Sequence, residues 1–135
     1  MATYFKEEFH VSGTINSPLY QMSRVSCNEF DIVNIYCSSG ANKAEFLKQL
    51  GSLAGRARPC FIVGDFNVNY LQKPHEAIIN KITSCGFKQM VTTATHINGG
   101  LLDHVYIKRL SWEPQIHSHF PCYSDHAAIT VMQPF

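Results

Sequence analysis

The sequence predicts an α/β fold of one domain, in which helices return the chain between the strands of a sheet. Short apolar segments rich in β-branched residues recur along the chain. Two segments with helical periodicity separate some of them, and turn residues mark most boundaries. The 135 residues, of which 45% are hydrophobic, suffice for a buried core, and no linker or internal repeat divides them. We therefore expect residues 1–135 to form a single domain.

The N-terminal part of the chain is predicted to be extended. Residues 1–30 show no sustained helical stripe, and Ser17 and Pro18 mark a turn before a strand. Residues 30–36 are apolar and rich in β-branched side chains, which is typical of a buried strand.

The first helix is predicted over residues 42–57, where apolar residues follow one helical face. Asn42 is a suitable N-cap with Glu45 three places later, and Pro59 prevents continuation. Residues 60–63 then form a central strand that runs into Gly64 and Asp65.

The second helix is predicted to begin near Pro74, because proline is favoured in a first helical turn. Ile78, Ile79 and Ile82 form its apolar side, and Gly86 ends it. Short strands are expected afterwards, over residues 87–91, 102–108, 115–119 and 127–132.

Composition restricts the class of protein. The net charge is +1, from 11 basic and 10 acidic residues, so binding of nucleic acid by bulk charge is not expected, although a local basic site is allowed. No apolar run reaches the length of a membrane span, and the N-terminus lacks the pattern of a secretory signal. The five widely spaced cysteines favour reduced thiols. We expect an intracellular protein, nuclear or cytoplasmic and not secreted.

Polar, chemically able residues follow three apolar strands, at residues 64–67, 102–106 and 123–126. Strand ends that face one edge of a sheet are where α/β proteins usually build sites. Cleavage of a phosphodiester needs carboxylates for a divalent metal, a base for water and a donor to the developing charge. The residues that could supply these groups are Asp65, Asp103 and Asp125 as carboxylates, Asn67 as the donor and His126 as the base.

Each of these segments also has a structural interpretation. Asp65 and Asn67 could form a turn by bonding their own backbone, and Ser124 could cap a segment that contains a structural His126. His104 is the strand neighbour of Asp103, so it points to the opposite face, and we expect it to be structural. The remaining histidines that suggest zinc lack a third ligand at fixed spacing, so solvated side chains are the default; they are His75, His96, His117 and His119.

Four blocks in order resemble the endonuclease/exonuclease/phosphatase superfamily, the group of deoxyribonuclease I and the apurinic endonucleases. They are residues 32–36 (IVNIY), 61–67 (FIVGDFN), 100–106 (GLLDHVY) and 123–126 (YSDH). The sequence is most similar to the endonuclease domains of LINE-type and Helitron-like mobile elements. The resemblance covers nearly the whole chain.

This resemblance implies roles for individual residues. Asp65 would position or deprotonate the nucleophile, and Asn67 would stabilise the transition state. Asp125 would bind Mg²⁺ or Mn²⁺, while His126 would pair with Asp103 and act as base. Tyr36 matches a tyrosine that contacts the phosphate.

The sequence also departs from the pattern of the family. Family members extend further at the N-terminus, where an Asn and a metal-binding Glu lie, and this chain is expected to contain neither. Glu7 and Glu8 are not assigned that role. The similarity is to the C-terminal half of a four-layer α/β sandwich, here a mixed β-sheet with two helices on one face. A sheet without its facing layer would expose apolar surface, so we expect a homodimer that packs sheet against sheet.

The function implied is that of a metal-dependent phosphodiester hydrolase acting on DNA as an endonuclease. Two alternatives remain open. The first is a catalytically inactive, nuclease-derived binding or dimerisation module, which the missing Glu and missing layer favour. The second is a phosphatase acting on a small phosphorylated lipid or nucleotide, since the superfamily includes such enzymes.

Overall fold

The computed structural model describes residues 9–134. Glu7, Glu8 and the extended segment expected over residues 1–8 lie outside the described part. Within it the elements follow one another as β1 (His10–Asn16), β2 (Tyr20–Ser26), β3 (Asp31–Cys37), α1 (Lys43–Ala54), β4 (Cys60–Asp65), α2 (Ala77–Ser84), β5 (Lys88–Gln89), β6 (Asp103–Lys108), β7 (Gln115–His119) and β8 (Ala128–Met132).

The main sheet is mixed. Among the described residues its strand order is β1-β2-β3-β4-β6-β5, and β7 pairs with β8 in a separate antiparallel ribbon. β3 and β4 are parallel, whereas the other neighbours in the main sheet are antiparallel. A parallel pair needs a crossover, and α1 supplies it by returning the chain from the end of β3 to the start of β4. The predicted mixed α/β fold is confirmed.

The first helix starts where the sequence predicts and ends three residues early. The side chain of Asn42 accepts the backbone N–H of Glu45 at 3.1 Å, which satisfies an otherwise unpaired helical donor. The helix ends at Ala54 because the chain turns there to bring Arg56 and Arg58 to Asp31, a buried carboxylate that they approach to 3.7 and 3.2 Å. A buried carboxylate requires such partners.

The second helix and the strand after it are shorter than predicted. Pro74 lies in a turn, and α2 begins at Ala77, because residues 69–76 form hydrogen-bonded turns around Asn69. β5 contains two residues instead of the expected five. The side chain of Gln89 bonds both the N–H and the C=O of Val91, so these backbone groups do not continue the ladder.

Both helices pack on the same face of the main sheet, as expected. The core between them holds Phe46 and Leu50 from α1, Ile79 from α2, and Val33 and Ile62 from the sheet. Among the described residues, neither helix is long and apolar enough to cross a membrane.

The opposite face of the sheet is partly covered by the chain itself. Phe61 and Val105 are buried there, and Ile116 and Ile129 of the β7–β8 ribbon pack against the same cluster. The expectation that this face would be bare was therefore wrong for the part under the ribbon. The covering layer comes from the antiparallel ribbon, whose packing position could not be read from its sequence.

Candidate active site

The site begins with three side chains in register across neighbouring strands. Tyr36 of β3 is the strand partner of Asp65 of β4, and Asp65 is the partner of Asp103 of β6. Residues that lie opposite one another in a ladder point to the same face. The strands thus bring together three of the residues predicted from separate segments, on the face opposite the helices.

Gly64 permits the close approach of two strands next to this site. Its φ is +143°, and a Cβ added there would lie 1.9 Å from the carbonyl oxygen of Ile35 on β3. Only a residue without a side chain fits such a gap. Gly64 therefore fixes the backbone that presents Asp65.

His126 reaches Asp103 from the loop before β8. Its Nδ1 lies 2.8 Å from Oδ2 of Asp103, and its Nε2 lies 4.0 Å from Oδ2 of Asp65. Partial burial works against the charged imidazole, but the hydrogen bond and negative charge of Asp103, with the charges of Asp65 and Asp125, raise the pKa of His126. The predicted pairing of His126 with Asp103 is what the structure contains.

Asp65 is held by the turn that follows its strand. Its Oδ1 accepts the backbone N–H of Asn67 at 2.9 Å, and Asn67 has the left-handed φ of 51° that asparagine tolerates. Burial raises the pKa of Asp65, and the charge of Asp103 adds to this, while the Asn67 N–H and His126 oppose it. The side-chain amide of Asn67 donates to the carbonyl of Cys37 at 2.7 Å. Asn67 thereby ties the end of β4 to the end of β3.

Asp125 lies at the edge of this group and is more exposed than the other carboxylates. Its side chain is 60% exposed, against 19% for Asp65 and 18% for Asp103. Its Oδ2 lies 3.3 Å from Nε2 of His96. The sequence predicted Asp125 but not His96 as part of the site.

An open cleft of about 840 Å³ gives access to part of this group. Asp65, Asp103 and His126 line it, together with Tyr36, a residue that is 39% exposed. Asn34 and Gln21 extend the same wall along the sheet.

His104 faces away from the acidic site, as its strand position predicts. Its ring is buried and stacks on Phe66 with centroids 4.9 Å apart. Nε2 donates to the carbonyls of Val68 and Leu101, and Nδ1 accepts from the hydroxyl of Tyr106. Burial lowers the pKa of His104 despite the raising effects of those carbonyls and of the nearby Asp103 charge.

Thr95, Ser124 and His96 support the site; Ser124 was considered as a cap, whereas the roles of Thr95 and His96 were missed. Thr95 Oγ1 accepts the N–H groups of both Leu102 and Asp103 at 3.0 Å, and Ser124 Oγ accepts the N–H of His126 at 3.1 Å. In the sequence, Thr95 and His96 stand shortly before the two glycines that precede β6. Their position along the chain does not predict these contacts, because the contacts depend on how the loops pack.

The donor atoms suit a hard divalent cation. Two groupings among the described residues hold their ligand atoms within 4.8 Å of one another: Asp65, Asp103 and His126, and His96, Asp125 and His126. Carboxylate oxygens are the ligands that Mg²⁺ and Mn²⁺ prefer. Asp103 and Asp125 each have one oxygen outside these contacts, whereas Asp65 Oδ1 accepts the Asn67 N–H and Asp65 Oδ2 lies 4.0 Å from Nε2 of His126.

An imidazole held by a carboxylate, beside further carboxylates at the strand ends of an α/β sheet, is an arrangement suited to acid–base hydrolysis. Residues 8–126 match the profile of the Endonuclease/Exonuclease/phosphatase family. The chain belongs to this family. No curated protein sequence matches it significantly.

Solved structures share the fold at low sequence identity. The endonuclease domain of TRAS1, a telomere-specific non-LTR retrotransposon, superposes with a TM-score of 0.58 at 13% identity, covering 93% of this chain and 67% of that one. CdtB, the biologically active subunit of cytolethal distending toxin, gives 0.60 at 13%, covering 95% and 57%. A family protein from Bacteroides thetaiotaomicron gives 0.54 at 16%, covering 95% and 64%. The chain thus spans 57–67% of these structures.

Proposed function

We propose that the chain is a metal-dependent phosphodiester hydrolase that cleaves DNA as an endonuclease. The observation that carries the proposal is the contact of Asp103 with His126 beside Asp65, in an open cleft. Family membership and the nuclease fold of the TRAS1 domain support it.

His126 is the base in this proposal. Asp103 accepts the Nδ1–H of the imidazole, which leaves the lone pair on Nε2 free to take a proton from water. Asp65 Oδ2, at 4.0 Å from that nitrogen, holds the same water by hydrogen bonding. The water oxygen forms the new bond to phosphorus while the bond to the leaving oxygen breaks.

Asn67 and Tyr36 act on the phosphate. Asn67 uses one amide hydrogen on the Cys37 carbonyl, and its second amide hydrogen stabilises the charge that develops on the phosphoryl oxygens. The hydroxyl of Tyr36, in register with Asp65, donates to a phosphate oxygen and positions the backbone of the substrate.

Asp125 would hold Mg²⁺ or Mn²⁺, with help from the second oxygen of Asp103, whose Oδ2 is engaged by His126. When bound, the cation neutralises charge on the phosphate and on the leaving oxygen. The high local density of carboxylates favours this role, because like charges destabilise one another without a cation.

Nicking of supercoiled plasmid with Mg²⁺ or Mn²⁺ tests the function. Wild type is compared with His126→Ala and with His119→Ala, in which an exposed strand histidine of the β7–β8 ribbon is removed. We expect nicking by wild type and by the His119 variant, and a loss of at least about 100-fold in the His126 variant. Equal nicking by all three would indicate contamination. No nicking by any of them would favour a nuclease-derived binding module.

We also propose that two copies associate through the part of the sheet face that the ribbon leaves open. Val131 and Met132 of β8 are exposed apolar side chains outside the proposed phosphate contact, which supports the association. Light scattering at micromolar concentration tests it, with a dimer expected. A monomer would overturn this proposal and would leave the hydrolase proposal standing.

A further inference from the structure

His96 contacts both the exposed carboxylate and the imidazole of the candidate site. Its Nε2 lies 3.3 Å from Oδ2 of Asp125, and its ring meets that of His126 edge to face, with centroids 5.0 Å apart at 88°. The His96 side chain is 19% exposed, so most of its surface is buried.

The backbone fixes the place of His96 independently of its side chain. His96 forms a bridge with His126, the N–H of Ile97 donates to the carbonyl of Asp125 at 2.9 Å, and the N–H of Ala127 donates to the carbonyl of Thr95 at 2.7 Å. The loop that carries Asp125 and His126 is thus tied to the turn that carries His96. The backbone therefore holds the side chains of His96, Asp125 and His126 close to one another.

The tautomer of His96 follows from a second hydrogen bond. The backbone N–H of Asn98 donates to Nδ1 of His96 at 3.2 Å, so Nδ1 carries the lone pair. In a neutral imidazole the proton is then on Nε2, which faces Asp125. His96 therefore presents a donor to one oxygen of the carboxylate.

We propose that His96 is a positioning residue that orients Asp125 for the cation. Asp65 is held by a backbone N–H and Asp103 by His126, whereas Asp125 projects from a loop and is largely exposed. An exposed carboxylate samples several rotamers, and ordering it on binding costs conformational entropy. With Oδ2 held by His96, Oδ1 is directed to the cation. This inference rests on the proposed function, in which Asp125 is a ligand.

Two substitutions separate this role from a structural one. His96→Asn keeps an oxygen near Nδ1 for the Asn98 N–H, but it has no donor near Nε2. His96→Gln places an amide donor near Nε2 and loses the acceptor for Asn98. If His96 only stabilises the turn, the Asn variant should resemble wild type. If it positions Asp125, the Gln variant should.

The main measurement is binding of Mn²⁺ alone, followed by electron paramagnetic resonance without DNA. We expect His96→Asn to weaken Mn²⁺ binding by about 10- to 100-fold, as loss of a residue that supports a metal ligand usually does. His96→Gln should stay within about threefold of wild type. In an Asp125→Ala background, His96→Asn should have no further effect, because the ligand it positions is absent. His75→Asn, which changes an exposed histidine in the loop before α2, is the control.

Plasmid nicking then separates the two proposals. The expected result is that His96→Asn raises the Mn²⁺ concentration needed for half-maximal rate, with kcat at saturating Mn²⁺ unchanged within about twofold. If wild type nicks plasmid and the two His96 variants bind Mn²⁺ as tightly as wild type does, the proposed role of His96 is overturned and the hydrolase proposal stands. Weaker Mn²⁺ binding and a lower melting temperature in His96→Gln, with His96→Asn equal to wild type, shows a structural role in the turn and also overturns it. Absence of Mn²⁺ binding and nicking in wild type overturns both proposals.

Discussion

The imidazole of His126 and the carboxylate of Asp103 lie 2.8 Å apart although 23 positions separate them in the chain. Asp103 is fixed at the start of β6 by the Thr95 hydroxyl, which accepts its backbone N–H. The loop before β8 brings His126 to it from the other side of the cleft. The contact is between side chains, so a substitution of Asp103 can test its effect on the pKa of His126 separately from the fold.

In the metal-free protein, His126 should titrate above its ordinary pKa of 6.5, because the Asp103 contact favours the charged ring. Asp103→Asn removes that charge and should lower the midpoint. A histidine with a raised pKa keeps its proton to higher pH and is neutral only above that pKa. NMR titration of the imidazole in the presence of EDTA measures it, with exposed His119 as internal control. An unchanged midpoint in Asp103→Asn would contradict the pairing.

Tyr36→Phe should weaken substrate binding with little change in kcat. The hydroxyl is expected to donate to a phosphate oxygen, and hydrogen bonds to charged groups contribute about 1.5–3 kcal/mol. We therefore expect KM for plasmid or oligonucleotide to rise by about 10-fold or more. Tyr123→Phe is the matched control, because it removes a hydroxyl from a highly exposed tyrosine in the loop before β8. Equal effects of the two substitutions would argue against a specific contact of Tyr36.

The buried His104 should make the fold less stable in acid. Burial lowers its pKa, so below pH 6.5 the unfolded chain binds a proton more readily than the folded one does. Its contribution to the free energy of unfolding is therefore complete above pH 6.5 and is lost as the pH falls, by no more than about 1.4 kcal/mol per pH unit. Urea unfolding of wild type and His104→Gln between pH 7 and 5 measures the difference. His126 is common to both proteins, so its opposite effect cancels. Parallel pH curves would show that His104 is not the titrating group.

The sequence predicted the order of the elements and the polar strand ends, but not how the elements cover one another. Alternating polarity was enough to place Asp103 and His104 on opposite faces of β6, because side chains alternate in every strand. By contrast, the contact between His96 and Asp125 depends on how two loops pack. The placement of Ile116 and Ile129 over the second sheet face depends on long-range packing as well. Such contacts leave no periodic pattern in the sequence from which they could be predicted.

Gly64→Ala should destabilise the protein and disrupt the site together. A Cβ at this position would meet the backbone carbonyl of Ile35, which cannot move without breaking the β3–β4 ladder, and the φ of +143° is strained for alanine. We expect a loss of more than about 2 kcal/mol in the free energy of unfolding.

Gly51→Ala is the matched control for that substitution. Gly51 lies in α1 with no atom within 4 Å of the added Cβ, so alanine should stabilise the helix by about 0.5–1 kcal/mol. Urea unfolding measures both changes. If Gly64→Ala were as stable as wild type, the two strands could not approach as closely as they do, and the register that aligns Tyr36 with Asp65 would be wrong.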